Sequence, residues 1–282
     1  MRKRRSQLEI EYLKIHIYHL LKADAPMTCR QVYYRMVSAG LIDKTENEYT
    51  NTTCRLLAKM RRNGEIPFNW IADNTRWVRK KPSYSNLTEM LTVTAKCYRK
   101  SLWMDMGVNV EIWLEKDALS GVLFDVTEDW DVPLMVTRGY PSITFLHSAG
   151  EDLENCGKPT YIYYFGDYDP SGVDIPKKVE AGLREFAPSI EINFEILAVT
   201  GEEQIKELNL ITRPTKTSDS RSKGFKGESV EVDAISPEKL REMANEVISN
   251  HVPYEHIQKT VEIEQLEKET LMKLTPYVSG NI

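Results

Sequence analysis

The stretch Tyr161-Ile162-Tyr163-Tyr164-Phe165-Gly166-Asp167-Tyr168-Asp169-Pro170-Ser171-Gly172 decides how the rest of the chain is read. An apolar run of strand length leads into two carboxylates two residues apart, and Pro-Ser-Gly then makes a turn that opens a helix. Runs that are apolar on both faces belong to parallel sheets covered by helices, and such sheets collect ligands at the carboxyl ends of their strands. Asp167 and Asp169 therefore fall where a site is expected. An Asp-x-Asp pair at a strand end directs hard oxygen donors toward one point, which suits Mg2+.

Working outward, residues 108–114 form a second strand, and Val110-Glu111-Ile112-Trp113-Leu114-Glu115-Lys116 again ends in an acid. Glu115 completes a three-carboxylate cluster with Asp167 and Asp169 if the two strands are neighbours. A helix after Glu115, a strand at 132–136, the turn Gly139-Tyr140-Pro141-Ser142 with a helix from Ser142, a helix from about Gly172 and a strand at 192–199 complete an alternating pattern. Strand–helix alternation predicts the α/β class with a mostly parallel sheet. Helices are expected at 86–102, 237–250 and 260–274, and the polar, basic stretch 213–227 reads as a loop.

The N-terminal part has a different grammar. Ile10, Leu13, Ile17, Leu20 and Leu21 recur at helical spacing within 7–22. Thr28-Cys29-Arg30-Gln31 has the form of a capping box, and Gly40 stops the second helix it opens. A third helix is expected over 50–62, ended by Gly64. Residues 66–71 and 75–78, with Asp73-Asn74 between them, read as a β-hairpin. Three helices and a β-wing predict a winged helix-turn-helix over 1–82, followed by the sheet domain over 83–282. On the third helix Asn51, Arg55, Lys59 and Arg62 share one polar face while Leu56, Leu57 and Met60 face inward, the pattern of a helix that enters DNA.

Composition and charge bound the classes. The chain has 282 residues, 41% hydrophobic and 28% charged, which excludes disordered and fibrous proteins. Its net charge of −5 is unevenly spread: residues 1–80 hold 16 Lys/Arg against 8 Asp/Glu, leaving 21 against 34 for the rest. A basic module on an acidic body is the footprint of a protein that meets phosphate backbone through one domain. The four cysteines, Cys29, Cys54, Cys97 and Cys156, form no CxxC pair and point to a reducing, cytoplasmic compartment. No apolar run approaches the length of a membrane span, and the histidines give no metal-binding constellation. Neither export nor membrane insertion is expected.

On the second helix Val32, Tyr33, Met36 and Val37 form the apolar stripe, so Tyr33 is expected to pack inward. Tyr34 then lies outside the stripe, on the face of Arg30 one turn earlier. A phenol beside a guanidinium is a candidate nucleophile pair, the cation favouring phenolate or holding the phosphate under attack.

A helical module bearing Arg30-x-x-Tyr33-Tyr34, followed by a strand-end Glu115 and the Gly166-Asp167-x-Asp169-Pro170-x-Gly172 signature, resembles the A subunit of type IIB DNA topoisomerases (topoisomerase VI). It also resembles the related transesterase that makes meiotic double-strand breaks. The resemblance runs from about 7 to about 275, and the compact size is closest to the short stand-alone proteins called mini-A. It implies a Toprim-like Rossmannoid second domain, Tyr34 as nucleophile assisted by Arg30, and Glu115, Asp167 and Asp169 as Mg2+ ligands. It also implies double-stranded DNA as substrate, a 5′-phosphotyrosyl link, and a homodimer in which each tyrosine meets the partner's metal site. No G-x-x-x-x-G-K-[ST] loop is present, so an ATP-driven gate would come from a separate ATPase subunit. The segment 229–234 is similar to a late strand of such proteins, where Glu231 or Asp233 would be an additional acid near the metal. Two other readings stay open: a Toprim nuclease that activates water, and a non-catalytic DNA-binding module.

Overall fold

The structure is a computed structural model that describes residues 5–72, 82–214, 225 and 227–279. In the N-terminal part, α1 (Gln7–Asp24) and α2 (Cys29–Ser38) each begin at a reciprocal capping box, Ser6 with Glu9 and Thr28 with Gln31. The third helix starts earlier than its sequence signal. Thr45 caps α3 (Glu46–Glu48), which continues through a π-helical segment, Tyr49–Cys54, into α4 (Arg55–Arg62). Leu13, Ile17 and Leu21 of α1, Val32 and Met36 of α2, and Leu57 and Met60 of α4 close one core. Burying such side chains contributes about 1.5–3 kcal/mol each.

The first arm of the expected β-hairpin does not form. Pro67 removes an N–H from any ladder, Phe68–Trp70 coil into a 3-10 turn, and Ile71 makes a single parallel bridge with Met27. The second arm, 75–78, lies outside the described residues.

Next, α5 (Leu87–Cys97) is capped by Asn86 and stops short of 102, because Tyr98 turns to extended backbone. Four strands then form an all-parallel sheet in the order β2-β1-β3-β4. They are β1 (Asn109–Leu114), β2 (Leu134–Val136), β3 (Thr160–Phe165) and β4 (Ile192–Ala198). The crossovers are α6 (Ser120–Asp129), α7 (Ile143–Cys156) and α8 (Ile175–Phe186), and α9 (Glu202–Glu207) follows β4. The chain closes with α10 (Pro237–Ser249) and α11 (Tyr254–Ser279), the last beginning ahead of the expected 260.

Both sheet faces are covered, as strands with apolar residues on both faces require. On one, Ile112, Leu114 and Phe165 pack against Val122 and Leu123 of α6 and Leu240, Ala244 and Ile248 of α10. On the other, Trp113, Ile162 and Tyr164 meet Leu146 and Leu153 of α7 and Val179 and Leu183 of α8. The N-terminal core is joined to this body at several points. Ile211 packs into it, Lys44 Nζ donates to the Thr212 carbonyl, and Arg241 donates to the Asp24 carbonyl at 3.1 Å. Among the described residues no helix is long and apolar enough to cross a membrane.

Candidate functional site

The pairing of β1 with β3 sets the site. Leu114 lies opposite Phe165, so Glu115 and Gly166-Asp167 leave neighbouring strands at one level. The strand order reverses between β1 and β3, and a crevice opens there beyond the carboxyl ends. A cavity of about 620 Å3 fills it, with Glu115, Lys116, Asp167, Glu231 and Asp233 on the sheet side and Arg30, Tyr49 and Arg61 on the helical side.

Glu115 Oε2 accepts from the Asp167 N–H at 3.1 Å. A Cβ at Gly166 would stand 2.7 Å from that same oxygen, so glycine is what lets the carboxylate lie against the turn. Burial, joined by the charge of Asp167, pushes the Glu115 carboxyl up to about 7. Asp169 Oδ1 accepts from the N–H groups of Ser171 and Gly172 at 2.9 and 2.8 Å, the local bond that makes Asp a turn residue. Gly172 approaches closer still. A Cβ there would fall 2.0 Å from the Asp167 carbonyl oxygen, so Gly172→Ala must displace the backbone that carries Asp167. We expect it to lower stability by about 1–3 kcal/mol in chemical denaturation; an unchanged midpoint would show that the turn is free to relax.

The acids at 231 and 233 arrive from far along the chain. An antiparallel bridge between Tyr168 and Val230, with a second between Arg213 and Ser229, lays this segment beside the Asp167 turn. Val232–Ala234 is a 3-10 turn rather than the late strand the resemblance implied, and the Val232 N–H donates to Asp167 Oδ1 at 2.8 Å. Val230 and Val232 face the core, while Glu231 and Asp233 are themselves 6% and 2% exposed.

Their charges are balanced by Arg30 and by two groups that sequence spacing did not single out, Lys116 and Arg213. Lys116 Nζ stands 2.7 Å from Asp233, 3.0 Å from Asp167 and 3.3 Å from Glu231. Burial opposes this ammonium, but the charges of Asp233, Asp167 and Glu231 outweigh it and hold Lys116 protonated well above its usual range. Glu231 also pairs with Arg213 and with Arg30, the latter at 3.5 Å, and Arg213 reaches Asp169 at 3.6 Å. Burial would raise the Glu231 carboxyl; Lys116, Arg30 and Arg213 together bring it below its ordinary value. Asp167 differs, because burial dominates there and keeps its carboxyl raised despite Lys116.

The candidate Mg2+ ligands Glu115, Asp167 and Asp169 thus share one turn region, with their oxygens engaged by backbone N–H groups, Lys116 and Arg213. Among the described residues no three His, Cys, Asp or Glu side chains converge closely enough to hold one ion. Carboxylate oxygens are the donor type a hard cation takes, and in this structure their positive partners are Lys116 and Arg213.

Tyr34 requires a correction. The helical wheel placed it outside the apolar stripe, yet it is 4% exposed, like Tyr33. It belongs to the N-terminal core, on a helix that lies beside the turn at Val232–Ala234, and Lys44 Nζ lies 5.5 Å from its ring. Burial lifts the phenol to about 12, helped by Glu231, and Arg30, which opposes the rise as expected, is outweighed. Tyr33 packs inward as the stripe requires, its hydroxyl donating to the Thr45 carbonyl at 3.2 Å. Arg30 stacks 4.4 Å over the Tyr49 ring.

On α3–α4 the four candidate DNA contacts, Asn51, Arg55, Lys59 and Arg62, are all exposed, while Leu56, Leu57 and Met60 are buried. Folding also joins two of the scattered cysteines. Cys54 takes a hydrogen bond from Cys29, and this, against the cost of burial, pulls its thiol down to about 6.

No family model matches the chain. No curated protein matches it either.

Proposed function

We propose that this chain is a Mg2+-dependent DNA-cleaving transesterase of the topoisomerase VI A-subunit type, its N-terminal part acting as a winged helix and its sheet domain as a Toprim domain. One observation carries the reading. Arg30, on the helix that bears Tyr34, reaches across to Glu231 at 3.5 Å, so the nucleophile helix and the strand-end acids face one cavity.

In the scheme, the exposed Asn51, Arg55, Lys59 and Arg62 hold the duplex backbone through one face of α4 and the segment before it. Arg30 and Lys116 put positive charge where phosphate oxygens gain charge. The Tyr34 hydroxyl gives its proton to solvent as its oxygen attacks phosphorus, and the bond from phosphorus to the 3′-oxygen breaks, that oxygen taking a proton from solvent, which gives a 5′-phosphotyrosyl ester and a free 3′-hydroxyl. When bound by Glu115, Asp167 and Asp169, Mg2+ would neutralise phosphate oxygens and assist the leaving oxygen. The ester conserves the energy of the broken bond, so resealing needs no ATP. A homodimer and a separate ATPase subunit belong to this reading by resemblance.

A second reading has one observation in its favour: the residues lining the cavity include Arg30 and Tyr49 but not Tyr34, which suits a nuclease whose nucleophile is water. Both readings require Asp167. We expect Asp167→Asn to abolish Mg2+-dependent cutting of supercoiled DNA while leaving salt-dependent DNA binding intact. A protein that binds DNA and never cuts it, in wild type or variant, would instead be a binding module. Binding itself is tested by Arg55→Ala, which should reduce the slope of log affinity against log salt by about one unit. An unchanged slope would remove α4 from the DNA interface.

A further inference from the structure

Two cysteines far apart in the sequence meet at the first turn of α2. Cys29 is the first residue of that helix, and Cys54 is the last of the π-helical segment Tyr49–Cys54. Both are half-buried, and Cys29 borders the cavity while packing against the N-terminal core. The two thiols are in hydrogen-bond contact, Cys29 donating to the Cys54 sulfur, and the Tyr49 hydroxyl donates to the same sulfur. Arg30, stacked 4.4 Å over the Tyr49 ring, adds its positive charge, and together these outweigh burial and the charge of Glu46. A sulfur that accepts two hydrogen bonds beside a guanidinium is held as thiolate, the nucleophilic form. The other two cysteines, Cys97 and Cys156, end α5 and α7 and are exposed, so access alone would favour them.

We propose that Cys29 and Cys54 are a redox-active dithiol whose substrate is a hydroperoxide, with Cys54 as the attacking sulfur and Cys29 as the resolving one. The Cys54 thiolate attacks one oxygen of hydrogen peroxide, the O–O bond breaks, and hydroxide leaves and takes up a proton as water, which gives a sulfenic acid at Cys54. Cys29 then gives up its proton and its sulfur attacks the Cys54 sulfur. The S–O bond breaks, the oxygen leaves with that proton as a second water, and two thiols and one peroxide have become one disulfide and two waters. The roles follow from the hydrogen bonds: Cys54 accepts from both neighbours, whereas Cys29 donates and so keeps its proton. In a reducing compartment such a disulfide is transient and redox-sensing, reopened by a dithiol. Closed, it ties the first turn of α2, which carries Arg30, to the segment that leads into α4, and it removes the thiolate that Tyr49 and Arg30 face. The chemistry goes beyond DNA cleavage and does not depend on it.

The test treats the full chain, reduced and freed of reductant, with one equivalent of hydrogen peroxide at neutral pH, blocks the remaining thiols with iodoacetamide and maps tryptic peptides by mass spectrometry without reduction. The peptides that carry Cys29 and Cys54 should appear joined, lighter by two hydrogens than their sum, while Cys97 and Cys156 carry the blocking group. Dithiothreitol should restore both thiols. Loss of the Cys54 thiol should run several-fold faster than loss of Cys97 or Cys156. A thiol brought down to about 6 is thiolate about thirtyfold more often at neutral pH than an ordinary one near 8.5, a gain that its lower intrinsic nucleophilicity offsets in part. Absence of the joined peptide, or loss of Cys97 and Cys156 as fast as Cys54, overturns the proposal. Cys29→Ser removes the resolving sulfur, so peroxide should leave a sulfenic acid at Cys54 that dimedone traps, and Cys54→Ser should trap none at Cys29. Trapping at Cys29 and not at Cys54 overturns the assignment of roles. Should either variant fail to fold, the wild-type map decides.

Discussion

Wild-type protein incubated with end-labelled duplex DNA and Mg2+ and stopped with SDS is expected to stay attached to 5′ ends, and Tyr34→Phe to leave none. The substitution removes one oxygen from a side chain that is 4% exposed and packs within the N-terminal core, so the fold should survive it. What disappears is the only atom proposed to bond with phosphorus, and the loss of cutting should be at least about 10^3-fold, since removing a nucleophile is among the costliest single changes an active site can suffer. The burial that lifts the phenol to about 12 adds a condition. Tyr34 must leave its buried position in the N-terminal core, and lose its proton, before it can attack. Tyr33→Phe is the control, because Tyr33 spends its hydroxyl on the Thr45 carbonyl and should keep full adduct formation. Adducts lost with Tyr33→Phe and kept with Tyr34→Phe would move the nucleophile by one residue. Free ends that persist in Tyr34→Phe would hand the site to activated water.

Glu115→Gln is expected to stabilise the metal-free protein at about pH 8 while weakening Mg2+ binding. The Glu115 carboxyl titrates near 7 in the folded chain instead of at its ordinary 4.5, chiefly because it is buried and then because Asp167 repels its charge. A group whose folded pKa is raised favours the fold fully below its unfolded pKa and loses that advantage as pH rises through the folded one. Here the loss falls between about pH 4.5 and 7 and amounts to roughly 3 kcal/mol at most. Glutamine imitates the protonated acid, so urea unfolding at about pH 5 and 8 should show a smaller fall for Glu115→Gln than for wild type. Added Mg2+ should restore the wild type and not the variant. Parallel pH profiles would mean that Glu115 is ionised throughout and carries no burial cost.

The difference between these two residues shows which kinds of information were local. Glu115, Asp167 and Asp169 were legible because each follows a largely apolar strand, and a parallel sheet delivers strand ends to one edge whatever else the chain does. The capping box at Thr28, the stop at Gly64 and the exposed face of Asn51, Arg55, Lys59 and Arg62 are equally local, being settled within a turn or two of helix. Boundaries were less so. The π-helical segment Tyr49–Cys54 and the early start at Thr45 arise from a cap and a packing register that a 3.6-residue period does not encode.

The amino-acid sequence by itself determined the α/β class, the parallel sheet, the acids at its carboxyl edge and a separate basic helical module, because short-range periodicity and turn chemistry specify each of these. Only the tertiary structure decided the environment of Tyr34, which is buried in the N-terminal core, and the partnership of Lys116 with Glu231 and Asp233, more than a hundred residues away. Burial and charge pairing depend on which distant segments meet. One antiparallel bridge, Tyr168 to Val230, brings those acids to the strand ends, and nothing in the spacing of either segment names the other.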